Sequence, residues 1–255
     1  NNLFDEDQIA LVYSYTWSGG DFDGNTASCA INAGTWTVTV TLGTGGDTAN
    51  YELEVEGGYS ADFEILKRTL NISFAQDYTL VYGEEIPENH YSLDIQEWAE
   101  GDEDLEGQLS LTYTTERNGT PYAPGAENGS VGDYTVTVSC SNAAEILGNY
   151  NYNFSDTATL TVGKRAVTLE PGSALEGNTK VYDAQAVAIT VTPSTVSGIK
   201  GLLQGDSLAY AYSYTWSGGS FDGDTASCAI NAGTWTVTVT LAGNADGEYD
   251  NANYT

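Results

Sequence analysis

Long stretches of the chain alternate apolar and polar residues with a period of two. Leu11, Tyr13, Tyr15 and Trp17 share one side of an extended segment. Trp36, Val38, Val40 and Leu42 do the same, with Thr35, Thr37, Thr39 and Thr41 on the opposite side. The alternation returns in Leu70, Ile72 and Phe74, in Leu109, Leu111 and Tyr113, in Phe154, Ala158, Leu160 and Val162, and in Val167 and Leu169. Successive side chains of a strand point to opposite faces, so this pattern predicts antiparallel sheet with one face buried. Glycine-rich stretches between the runs predict turns. No long amphipathic helix is expected, and at most a helical turn near residues 97–107. The expected fold class is all-β: small antiparallel domains of about 100 residues in tandem, immunoglobulin-like sandwiches or alternatively β-grasp-like units, in an extended array.

The chain also repeats itself. Residues 13–42 return at 212–241, differing only at Asp21 against Ser220 and Asn25 against Asp224. A fixed long period with high identity marks a tandem array. A weaker copy lies between them, where "GSVGDYTVTVSC" at 129–140 echoes "INAGTWTVTVTL". "LKR" at 66–68 and "GKR" at 163–165 then mark domain starts. The expected boundaries are 1–66, a partial domain lacking its first strands; 67–163, complete; and 164–255, lacking its last strand. Incomplete domains expose strand edges, so strand-mediated self-association or disorder is expected at one end.

Composition narrows the function classes. Seven Lys and Arg stand against 36 Asp and Glu, a net charge of -29. Such a surface repels phosphate backbones and anionic membranes, which argues against nucleic-acid and membrane-surface binding. No apolar run reaches the roughly 18 residues of a membrane span. The three cysteines form no CxxC or Cys/His cluster. Cys29 and Cys228 are the same repeat position, Cys140 lies on an apolar strand face, and no disulfide is expected. The single His90 has no nucleophile in a recognisable context and reads as a surface residue beside a turn. Nothing resembles a phosphate loop, zinc cluster or dinucleotide fingerprint, so no enzyme is expected.

In order along the chain come a Lys, a strand, "VYG" or "VYD", a Gly-Asp-type turn, an "AGTYTVTV"-like strand, "NY", and the next Lys. The carriers are Lys67, Tyr82-Gly83, Gly132-Asp133-Tyr134, Asn149-Tyr150 and Lys164. They recur as Lys164, Tyr182-Asp183, Gly205-Asp206, Gly233-Thr234-Trp235 and Asn253-Tyr254. This order resembles the MBG and YDG repeat domains of large bacterial surface proteins, across essentially the whole chain. Trp36 and Trp235 depart from it, standing where Tyr is commoner. The resemblance implies an extracellular, cell-anchored adhesin or stalk, and it transfers no binding residue.

Candidate chemistry is sparse. Asp21, Asp23 and Asn25 alternate as calcium-loop ligands do, but the EF-hand glycine is misplaced and its closing Glu is missing. A solvated turn is the better reading. Asp102 and Asp104 sit in the acidic run 100–107, which reads as solvated surface or a calcium site. Calcium is the single candidate cofactor. Trp17 and Trp216 could stack on host glycan or mucin sugars, though their parity with the core positions favours burial. Lys67 and Lys164 could face Asn153 for a Lys–Asn isopeptide cross-link, which needs a dry site beside a protonated acid, though pairing of the lysines with acids at a domain joint is the better reading. The leading expectation is a structural spacer, and the alternative is weak multivalent glycan binding by the repeats.

Overall fold

A computed structural model describes residues 6–17, 20–22, 31–171, 181–185, 187, 190–216, 219–222, 229–243 and 249–255. Strands dominate and helices are few, so the chain is all-β. It folds as two compact units. The first holds Asn1–Ser73, Leu93–Thr112 and Ser139–Asp156; the second holds Phe74–Ser92, Tyr113–Val138 and Thr157–Thr255.

In the first unit, β1 (Ile9–Trp17), β2 (Gly20–Phe22), β3 (Gly34–Gly46) and β4 (Tyr59–Ile65) form an antiparallel sheet in the order β2-β1-β3-β4. Their alternation puts Trp36 of β3 at the centre, where it is fully buried. Trp17 stacks on it from β1 at 6.0 Å, and Phe63 from β4 at 6.5 Å. β5 (Arg68–Thr69), β6 (Asn71–Phe74) and β8 (Leu93–Gln96) complete this unit, while β7 (Tyr78–Val81), between β6 and β8 in the chain, belongs to the second. β6 pairs with β8, and Leu70 and Ile95 pack with Ala143, Leu147 and Tyr150 into a small core.

The second unit is built on a five-stranded sheet. It takes in β7 with β9 (Leu111–Arg117), β10 (Thr120–Pro121), β11 (Gly132–Cys140) and β13 (Ala158–Gly163), in the order β10-β9-β11-β13-β7. β12 (Tyr150–Asn151) instead pairs with β5 in the first unit. Tyr78, Leu80, Tyr134, Val136, Leu160 and Val162 give this sheet a buried face. β14 (Leu169–Pro171) pairs with β15 (Val191–Pro193). β16 (Tyr210–Trp216), β17 (Gly219–Asp222) and β18 (Trp235–Leu241) form a third sheet in the order β17-β16-β18.

Three features depart from the sequence reading. Not all pairing is antiparallel: β7 runs parallel to β13, with Leu160 opposite Tyr78, and β5 parallel to β12. Period-two alternation reports burial of a face and is blind to the direction of the partner strand. A short helix, α1 (Ala143–Ile146), appears where none was expected, ahead of the Asn149-Tyr150 pair. His90 is half-buried rather than fully on the surface, its ring packed beside those of Tyr78 and Tyr91 at 5.2 and 5.3 Å.

Candidate functional site

The "AGTW"-type turn that opens the strand of each copy has a fixed backbone. Gly34, Gly132 and Gly233 have φ of +135°, +133° and +143°, a conformation that L side chains rarely adopt. The aromatic residue two positions on then folds back over the turn. Trp36 Nε1 donates to the Asn32 carbonyl at 2.8 Å, Tyr134 Oη to the Ser130 carbonyl at 2.8 Å, and Trp235 Nε1 to the Asn231 carbonyl at 2.9 Å. Trp and Tyr are thus interchangeable here because each supplies one donor at the tip of a flat ring.

A second motif recurs in both units. In the first unit, Asn149 Oδ1 accepts the Ala33 backbone N–H at 2.9 Å, while Asn149 Nδ2 donates to Asn32 Oδ1 at 3.1 Å. In the second unit, Asn253 Oδ1 accepts the Val131 backbone N–H at 3.1 Å. The two asparagines are equivalent, and so are Ala33 and Val131, one residue ahead of the glycine turn. The tyrosine that follows each asparagine is anchored in the same way. Tyr150 Oη accepts the Ala99 N–H at 3.0 Å and donates to Asp102 Oδ2 at 2.6 Å. Tyr254 Oη accepts the Leu203 N–H at 3.0 Å and donates to Asp206 Oδ2 at 2.6 Å. Tyr51 donates to Asp7 Oδ2, also at 2.6 Å. Donation to a carboxylate makes these the stronger kind of hydrogen bond.

The residues that follow Lys67 and Lys164 are tied to the same two pairs. Arg68 and Leu70 donate their N–H groups to the Asn149 and Asn151 carbonyls; Arg165 and Val167 donate theirs to Asn253 and Thr255. The second joint is the drier one. Arg165 is 2% exposed, and its guanidinium donates to the carbonyls of Tyr82, Gly198, Lys200 and Gly201 at 2.7–3.3 Å. The Tyr82 ring meets Tyr254 edge-on at 5.7 Å. Gly83, at φ +85°, lies so close to Leu203 that a Cβ would collide with its side chain. Burial, first, and the Asp206 carboxylate beside them, next, push the Tyr82 and Tyr254 hydroxyls well above the usual phenol range. Burial and the bond to Asp102 push Tyr150 up in the same direction. These phenols stay protonated and act as donors. At the first joint the equivalent Arg68 is exposed and pairs with Glu97 at 3.5 Å.

The joint gathers residues that stand far apart in the sequence, and it engages their donors and acceptors. Tyr82, Gly83, Asp206, Asn253 and Tyr254, which carry the sequence pattern, meet there with Arg165 and Leu203. Sequence reasoning missed what Asn253 and Arg165 do. One signal was available: Asp102 precedes Tyr150, and Asp206 precedes Tyr254, by the same 48 positions.

The other candidates fall elsewhere. Trp17 and Trp216 are half-buried, stacked on Trp36 and Trp235, and donate Nε1 to the Ala33 and Ala232 carbonyls at 3.0 Å. Asp21 lies in β2 opposite Thr16, while Asp23, Asn25, Cys29 and Cys228 lie outside the described residues. Asp102 serves Tyr150, and Asp104 is exposed in a 3-10 turn over Glu103–Gln108. Among the described residues no group of three or more His, Cys, Asp or Glu is arranged to hold a metal ion. Lys67, Asn153 and Lys164 are all exposed, so none sits in the dry, acid-lined pocket that an isopeptide bond needs. Cys140 carries a free thiol, partly buried, 3.3 Å from Asn142 Oδ1.

No family model and no curated protein sequence matches this chain.

Proposed function

We propose that the chain is a structural spacer: an extracellular region of MBG/YDG-type β repeats, with boundaries near 66 and 163, that holds apart the ends of a bacterial surface adhesin. The observation that carries this reading is the joint itself. Asn149 and Asn253 stand at equivalent positions, and each reaches into the preceding copy to accept a backbone N–H, that of Ala33 and that of Val131. A spacer needs stiff joints between like units more than it needs distinct sites.

Two measurements on the same chain test it. Small-angle scattering should give a radius of gyration well above the about 18 Å of a single compact globule of this length. Glycan and mucin arrays, with calcium and then with chelator, should show no saturable binding. A compact particle sinks the spacer. Saturable binding lost in Trp17→Ala and Trp216→Ala, with folding intact, would make the repeats themselves adhesive.

A further inference from the structure

The sequence holds two Asn-Gly pairs, Asn118-Gly119 and Asn128-Gly129, and the fold treats them in opposite ways. Asn118 and Gly119 form the two-residue tip of the hairpin between β9 and β10, where Arg117 pairs with Thr120. Both have positive φ, +53° and +76°, as a type I′ turn requires, and Asn-Gly is a pair that favours this turn. Both are exposed, and a Cβ at Gly119 would have open space around it. β10 has only two residues and lies at the edge of its sheet, so the tip opens at little cost.

The second pair is held shut. Asn128 and Gly129 lie in a 3-10 turn over Glu127–Gly129. Gly129 is buried, and its N–H donates to the Ala126 carbonyl at 2.8 Å. It is backed against the Ala123 carbonyl so closely that a Cβ would collide with that oxygen. To turn toward the Asn128 side chain, this amide would first have to break its bond inside the fold.

We propose that Asn118 is a site of spontaneous deamidation, with water as the co-reactant, and that Asn128 is protected from it. The Gly119 backbone nitrogen loses its proton and attacks Cγ of Asn118. The Cγ–Nδ2 bond breaks, ammonia leaves with that proton, and a succinimide remains. Water then opens the ring at either carbonyl, giving aspartate or isoaspartate. With no Cβ, Gly119 does not obstruct the approach. The isoaspartate product acts beyond the tip. It routes the main chain through the side-chain methylene, which lengthens a loop whose strand register admits two residues. Arg117, at the foot of that loop, donates to Ser130 Oγ at 2.6 Å and to the Val131 carbonyl at 3.1 Å, with its guanidinium 4.3 Å from the centre of the Tyr134 ring. Val131 is the residue whose N–H Asn253 holds. Isoaspartate at 118 therefore loosens this joint as the chain ages. The inference stands apart from the spacer reading, because the reaction needs only the turn.

Incubation of the full chain in mildly alkaline buffer, followed by peptide mapping in the mass spectrometer, tests it. The expected result is steady deamidation at Asn118, faster at higher pH, with conversion at Asn128 at least about tenfold slower. In urea, where the fold no longer distinguishes them, the two sites convert at similar rates. In the aged chain, backbone hydrogen exchange at Val131 quickens. Asn118→Gly, which keeps a turn-forming Gly-Gly pair and has no amide to lose, shows no such change after the same incubation. Equal conversion of the two sites in the folded chain, or an Asn118 that reacts only in urea, overturns the assignment. Val131 exchange that is the same in fresh and aged chains overturns the coupling to the joint.

Discussion

Arg165 places a guanidinium where water cannot reach it and answers it with carbonyls alone. Removing its head leaves four acceptors, on Tyr82, Gly198, Lys200 and Gly201, without their donor. Arg165→Met should therefore cost about 3 kcal/mol or more in urea unfolding. Arg68→Met, at the equivalent but exposed position, should stay within about 0.5 kcal/mol. The tyrosines predict a pH dependence. Their folded-state pKa values lie above the unfolded value of about 10. The stability they contribute is then complete below about pH 10 and is lost as pH rises toward the folded values. Tyr254→Phe should lower stability at neutral pH by about 1–3 kcal/mol and flatten the alkaline loss, read from melting temperatures between about pH 8 and pH 11. The sequence showed these tyrosines as members of a pattern, but not that Asp206 would serve them. Asp and Tyr are among the commonest residues of so acidic and tyrosine-rich a chain, so no single pairing stands out.

At the scale of elements, strands were legible where both faces of the alternation were long. β1, β3, β11 and β13 lie where the apolar and polar positions alternate. Phe154 was read with Ala158, Leu160 and Val162 as one strand, yet β13 begins at Ala158 and Phe154 packs into the core of the first unit. A gap in the alternation let the chain leave one unit and enter the other, and parity alone does not see such a crossing. The turn after β7 shows what two residues do when they are read together. Gly83 answers at once to a positive φ and to Leu203. Gly83→Ala should cost more than Gly101→Ala, which has a similar φ of +91° but open space around it. Leu203→Ala should recover part of the difference, and a double-mutant cycle in urea should give a coupling of about 0.5–3 kcal/mol between the two positions.

At the scale of the whole molecule the charge dominates. A net charge of -29 makes the folded chain repel itself, and salt screens that repulsion. Raising sodium chloride from about 10 mM to about 0.5 M should raise the melting temperature by about 2–5 °C. Calcium at matched ionic strength should add nothing further; a specific rise at micromolar calcium would return Asp21, Asp23, Asn25, Asp102 and Asp104 to consideration as ligands. The two asparagine bonds depend little on this field, because neither asparagine is charged. Each holds a backbone N–H, that of an alanine in one case and of a valine in the other. A main-chain partner is the same whatever residue bears it, so the connection is spelled in a universal alphabet. The alanine or valine at that place can therefore give way to any residue but proline while the asparagine keeps its bond.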